Sequence, residues 1–160
     1  MKPSNPYYSP TVRRRQRSIA RDNGVADQFC FLTPDRIHDI AFLLKTFMTD
    51  ERPYLRLRYS IHQLAKDVQT PAYLLSAFIN QELGVNFNDY FNLFRVRHCQ
   101  VLIRECLVEE FNLRGLAHVC GFNNRNTFTS AFKKFTGMTP SDYKRRSVLQ
   151  NRQQQHQDGL

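Results

Sequence analysis

The sequence predicts an all-α chain in which one short-helix, turn, short-helix unit occurs twice, on either side of a long central helix. Three observations carry that reading. From Thr33 onward, apolar residues recur at the three- and four-residue spacing of buried helix faces. The seven prolines and six glycines are few and clustered, as suits helices punctuated by turns. The pattern Ile61-x-x-Leu64-Ala65-x-x-Val68 also has a counterpart in Leu113-x-x-Leu116-Ala117-x-x-Cys120.

The first helix opens at Thr33-Pro34-Asp35, an N-cap, a proline at the first helical position and an acid in the first turn. Ile37, Ile40, Ala41, Leu44, Phe47 and Met48 give it one buried face, and it ends near Pro53. Tyr54 to Tyr59 alternates apolar and basic residues. With no partner strand elsewhere in the chain, it reads as an extended connector. Ser60 with Gln63 three residues on forms a capping box for the second helix, lined by Ile61, Leu64, Ala65 and Val68. After a tight turn at Val68-Gln69, Thr70-Pro71 caps and starts a third helix to about Glu82, stopped by Gly84. The central helix spans about residues 87–107, and its apolar residues lie around more than one face, as expected of a helix buried between two subdomains. Asn112 caps a fifth helix, Gly121 turns the chain where a positive φ is plausible, and Asn124 caps a sixth helix through Phe135. Gly137 ends that helix, and Thr139-Pro140-Ser141 opens the seventh.

Charge divides the chain unevenly. The formal total is +9, made of +4 over residues 1–32, zero over 33–84 and +5 over 85–160. A basic surface attracts polyanions through counterion release, and nucleic acid and membrane phosphate both satisfy it. Residues 1–32 are expected to be disordered or one short basic helix, serving as an arm that grazes DNA phosphates or as a solvated linker. Residues 150–160, rich in Gln and Asn, have nothing to bury and are expected to be a disordered tail. No apolar run approaches the roughly 18 residues needed to span a bilayer, and no secretory leader pattern opens the chain. A cytoplasmic location is therefore expected.

Enzymatic and metal readings find little support. The four cysteines (Cys30, Cys99, Cys106, Cys120) form no CxxC pair. A zinc site drawn from His98, Cys99, Cys106, His118 and Cys120 lacks ligand spacing, and its cysteines occupy core positions. No nucleophile elbow, phosphate loop or paired-acid constellation is present. The chain is expected to be no enzyme and to carry no cofactor and no metal, and no small-molecule pocket is evident in it.

The recurring unit fits a helix-turn-helix, which places an Ala where its second helix crosses closely, permits only a short turn, and presents a capped second helix to the major groove. Ala65 and Ala117 hold that position. The stretch from Gly121-Phe122 through Phe128, Phe132-Lys133-Lys134, Gly137, Thr139-Pro140 and Tyr143 then closely resembles the signature of the AraC/XylS family. Leu64-Ala65, Tyr73-Leu74-Leu75-Ser76, Gly84-x-Asn86-Phe87-x-x-Tyr90 and Arg95-Val96 also look like family positions, so the resemblance covers about residues 35–146. It implies a seven-helix, bilobed domain with two helix-turn-helix units joined by the long central helix, acting as a bacterial transcription regulator on double-stranded DNA. The domain is expected over residues 33–149, with a first lobe of about 35–86, the central helix of about 87–107 and a second lobe of about 108–149. RNA polymerase is the expected protein partner if the regulator activates.

Base readers are expected on the outward faces of the two second helices. On the first lobe these are Tyr73, Ser76, Ala77 and Asn80; the resemblance puts Tyr73, Ser76 and Ala77 at family contact positions, and the small side chains suit thymine methyls and groove shape. On the second lobe they are Arg125, Asn126, Thr129 and Ser130, with Arg125 matched to guanine and Asn126 to adenine. Phosphate contacts, which position without specifying, are expected from Ser60 and Asn112 through the helix N-termini they cap, and from Arg95, Lys133, Lys134, Lys144 and Arg145. Lys144-Arg145-Arg146 equally suits a solvated helix end complementing its dipole. A basic RNA-binding module and a protein-interaction module remain the alternatives. Residues 1–32 are too short for a sensing domain, so the chain is expected to be a stand-alone regulator or the output piece of a larger protein.

Overall fold

A computed structural model of the chain describes residues 32–105 and 112–157, with the backbone alone for 151–157. Among the described residues there are seven α-helices and no strand: α1 (Pro34–Asp50), α2 (Ile61–Asp67), α3 (Ala72–Gln81), α4 (Phe87–Arg104), α5 (Leu113–Val119), α6 (Arg125–Thr136) and α7 (Pro140–Gln157). The expectations for residues 1–31, for the end of the central helix at Cys106 and Leu107, and for residues 158–160 of the tail lie outside the described residues.

Local chemistry sets most of the boundaries. Asn86 accepts from the Asp89 N–H to start α4, Asn112 accepts from Arg114 and Gly115 to start α5, and Asn124 accepts from Thr127 to start α6. The Ser60–Gln63 capping box is present in full. Gly137 closes α6 at φ +75.

Three expectations are corrected. The connector after α1 is not simply extended: Pro53–Leu55 forms a 3₁₀ turn entered through a left-handed Arg52. Thr70 does not cap α3; its hydroxyl donates to the Val68 carbonyl at 3.1 Å, and Pro71 stands at the cap position. The segment 150–157 is not a disordered tail, because α7 continues to Gln157. Its Gln and Arg residues are good helix formers that need no buried face to extend a helix already begun.

Two hydrophobic cores form, and α4 serves both. Ile40, Leu44, Met48, Leu64, Leu75, Phe78, Ile79 and Phe91 build the first, while Val96, Cys99, Ile103, Leu116, Ala117, Cys120, Phe122, Phe128 and Phe132 build the second. The N-terminal half of α4 thus belongs to one lobe and its C-terminal half to the other. Rings knit each lobe further. Phe91 meets Tyr59 at 5.5 Å and Phe87 at 4.4 Å, and a chain of rings runs from Phe122 through Phe128 and Phe132 to Tyr143 at 5.2 to 5.7 Å.

The two short helix pairs share one turn, hydrogen bond for hydrogen bond. In the first, Gln69 N–H donates to Lys66 O at 3.3 Å and Thr70 N–H to Ala65 O at 3.0 Å. In the second, Gly121 N–H donates to His118 O at 3.0 Å and Phe122 N–H to Ala117 O at 2.9 Å. Both are Schellman closures around a left-handed residue, Gln69 at φ +50 and Gly121 at φ +81. The repeat is therefore a repeat of backbone geometry, with Ala65 and Ala117 accepting the long bond in each unit.

Candidate nucleic-acid interface

α3 and α6 are the second helices of the two units, and their outer faces differ. On α3, Tyr73 is 55% exposed. Asn80 is exposed and donates to the Ser76 hydroxyl at 3.3 Å, while Ser76 and Ala77 are half-buried. This face is uncharged, with Tyr73 a large side chain beside the small Ser76 and Ala77. On α6, Arg125, Asn126, Thr127, Ser130, Lys133 and Lys134 are exposed and Thr129 is half-buried. Arg125, Asn126, Ser130 and Lys133 make no side-chain hydrogen bond or ion pair among the described residues. Their donors are thus open to a ligand. Thr127, in the first turn beside Arg125 and Asn126, shares this exposure and was not singled out from sequence; its position two residues past the first helical residue was the available signal.

The expected phosphate contacts do not form one cluster. Asn112, Lys144 and Arg145 come together along a groove of about 550 Å3 between the start of α5 and α7, which Leu113, Val148 and Leu149 also line. Arg145 pairs with Asp142 one turn earlier. Ser60 and Asn112 cap α2 and α5, and their oxygens occupy the N–H groups of Gln63, Arg114 and Gly115, three of the donors at the helix N-termini expected to meet phosphate. Lys133 projects freely, whereas Lys134 reaches back across 45 residues to both carboxylate oxygens of Asp89 at 2.7 Å. Asp89 had no local signal of this role.

Arg95 is the one expected phosphate contact that the structure turns inward. Its Nε donates to Tyr54 O at 2.6 Å and its terminal nitrogens to Arg56 O and Asn92 Oδ1 at 3.3 Å each. The guanidinium lies 5.5 Å from the Phe122 ring centre and 6.0 Å from that of Phe91. Burial lowers its pKa from the usual arginine value. A fork of donors matched to two backbone carbonyls explains why this half-buried cation is tolerated.

Other perturbed groups lie behind the interface. Burial and then the charge of Arg52 lower the pKa of His98, which packs edge-on against Tyr54 at 6.4 Å. Tyr59 donates to Asp67 at 2.6 Å, and its pKa is raised, first by burial and then by that bond. Cys99 and Cys120 face each other in the second core; the hydrogen bond between them and burial both push the Cys99 thiol up. Both residues are fully buried in that core. No cluster of three or more metal-ligating side chains occurs among the described residues, and no described helix is long and apolar enough to cross a membrane.

Two helix-turn-helix units on a shared helix, one with an open basic and amide face, define a nucleic-acid-binding domain of the double-unit kind. Comparison with known proteins agrees. A family model described as a helix-turn-helix domain matches residues 64–146, just over half of the chain. An uncharacterized HTH-type transcriptional regulator, YijO, of Escherichia coli is 30% identical over 98 residues, covering 59% of this chain and 34% of that protein. The HTH-type transcriptional activator RhaR of Yersinia pseudotuberculosis is 31% identical over 74 residues, covering 46% of this chain and 24% of that protein. The chain therefore spans between a quarter and a third of the length of these relatives. A transcriptional regulator of Chromobacterium violaceum, described as containing an AraC-type DNA-binding domain, superposes with a TM-score of 0.56 over 69% of this chain and 96% of that one, at 16% identity, and so shares the fold. The chain belongs to the AraC-type helix-turn-helix family.

Proposed function

We propose that the chain is a transcription regulator that binds double-stranded DNA by laying α3 and α6 into successive major-groove segments of one asymmetric site. The observation that carries this is the twin Schellman turn, which presents two second helices from equivalent frames on a single bridging helix. Centres about 34 Å apart, one turn of duplex, suit such a pair. Arg125 and Asn126 read base edges, with Thr129 and Ser130 beside them; Tyr73, Ser76, Ala77 and Asn80 read methyls and groove shape. Lys133 grips the backbone directly, and the groove bearing Asn112, Lys144 and Arg145 holds a flanking phosphate. Ser60 contributes by ordering α2. Lys134 contributes less than its charge suggests, because Asp89 already partners it.

The site is asymmetric because the readers differ: one face is neutral, the other cationic. Affinity then comes mainly from the second lobe, with register and shape from the first. Residues 1–32 act as a basic arm or linker to the domain. The reading implies no catalysis and a location with the chromosome, in the cytoplasm. RNA polymerase is the protein partner if the regulator activates; the relative RhaR is named a transcriptional activator.

Selection of bound duplexes from a random pool by the full chain tests the proposal. The expected result is one bipartite, non-palindromic motif whose binding weakens steeply with salt. Enrichment of a short single motif would remove α3 from the reading, and equal binding of matched RNA would favour an RNA-binding module.

A further inference from the structure

The two lobes are joined by more than a continuous helix. The connector backbone of the first lobe, the middle of α4 and the turn of the second unit meet at one point. Arg95 of α4 donates to Tyr54 O and Arg56 O of the connector. Its guanidinium lies between Phe91 of the first core and Phe122 of the second. Gly121 lies against the same carbonyl, beside Arg95: a Cβ there would stand 2.3 Å from Tyr54 O, 2.9 Å from Leu55 Cα and 3.1 Å from Arg95 Nε. A second tie lies further along, where Lys134 of α6 pairs with Asp89 near the start of α4. That start packs against the first core through Phe87 and Phe91.

The first unit shows that this arrangement is not a need of the turn itself. Gln69 takes the left-handed position there and carries a full side chain. Glycine is required in the second unit because the connector lies within contact distance of it. A cation is held, and a side chain is excluded, where the connector of the first lobe, the middle of α4 and the turn of the second lobe meet.

We propose that the junction of Arg95, Gly121 and the Tyr54–Arg56 backbone fixes the separation and rotational phase of the two recognition helices, making Arg95 the positioning residue that sets which half-site spacing the protein accepts. This rests on the two-helix reading of the preceding section. A junction that holds the lobes as one body cannot follow a changed spacing. Each base pair inserted between half-sites moves one of them about 3.4 Å along and about 35° around the duplex. Arg95 acts here through the lobes and not through DNA.

The test measures binding of the full 160-residue chain to the selected bipartite site and to versions with one or two base pairs added or removed between its halves. Wild type is expected to lose about 30-fold per step, the worth of one or two good base contacts. Arg95→Ala is expected to bind the optimal site about 10-fold more weakly, to lose under about 5-fold per spacing step, and to keep the wild-type affinity for the second half-site alone. Its salt slope should equal that of wild type, whereas a phosphate contact would lower the slope by about one. Arg95→Lys keeps the charge and the apolar stem but not the fork, and should loosen spacing likewise. If both Arg95 variants lose their helical circular dichroism, Asp89→Asn at the exposed second tie carries the same expectation in smaller measure. Folded variants that discriminate spacing as sharply as wild type, or a salt slope reduced by one in Arg95→Ala, overturn the proposal alone. A wild type indifferent to spacing overturns the two-helix reading on which it rests.

Discussion

Replacing Gly121 by alanine adds one methyl group at the point where the lobes meet, and the structure separates its cost into two parts. The first is backbone strain: φ is +81, and an L-residue in the left-handed region costs about 1–2 kcal/mol. The second is steric. The new Cβ would stand 2.3 Å from the Tyr54 carbonyl oxygen and 2.9 Å from Leu55 Cα, both backbone atoms that move only if the connector moves. Forcing an extra methyl into packed surroundings costs about 1–3 kcal/mol. Together they predict a loss of about 2–5 kcal/mol. Gly137 supplies the control, since it has φ +75 and nothing within 4 Å of its Cβ. Gly137→Ala should therefore show the strain alone, about 1–2 kcal/mol. Urea unfolding followed by helical circular dichroism measures both, and the difference between them isolates the contact with the connector. Equal losses for the two variants would refute the reasoning, because they would mean that nothing presses on Gly121 except its own dihedral.

Arg125→Ala should cost about 1–3 kcal/mol on the selected site and relax base preference there, while Lys133→Ala should weaken all duplexes alike and lower the salt slope by about one; equal losses on specific and random DNA for Arg125→Ala would remove it from the base readers. Ser60→Ala removes the acceptor that holds the Gln63 N–H at 3.3 Å and should cost about 1 kcal/mol in urea unfolding, without changing the base preference of the second lobe. His98 titrates below its ordinary value of 6.5 because it is buried and near Arg52, so the unfolded chain binds its proton first as pH falls. Stability should accordingly decline as pH drops from 6.5 through the lowered folded-state value and level off below it. His98→Gln should flatten that part of a Tm-against-pH profile, and an unchanged profile would show that other groups govern acid sensitivity.

Helix positions were legible because the signals that set them are local. Thr33, Ser60, Asn86, Asn112 and Asn124 each satisfy N–H groups two or three residues ahead, and Gly137 marks a left-handed stop. The doubling of the unit was legible through Ala65 and Ala117, although Gln69 concealed how closely the turns agree, since a left-handed glutamine has no sequence signature. The open face of α6 followed from helical spacing alone. What stayed hidden was long-range. Arg95 meets the Tyr54 carbonyl 41 residues away, and Lys134 meets Asp89 45 residues away; nothing near either residue announces the partner. Arg95 did carry one clue, for it stands between Phe94 and Val96 on a helix whose apolar residues surround it. The extension of α7 through residues 150–157 was missed because its Gln-rich sequence carries no apolar periodicity to mark a helix.

The central claim is that one chain places α3 and α6 in two successive major-groove segments. Methylation interference at guanine N7, read on the selected duplex under conditions where one chain binds per duplex, tests it most directly, because that atom lies in the major groove. The account predicts two patches of interference on one face of the DNA, centred about 10–10.5 base pairs apart, with Arg125→Ala erasing contacts in one patch only. A single patch, or two patches that appear only when two chains are bound, would contradict it.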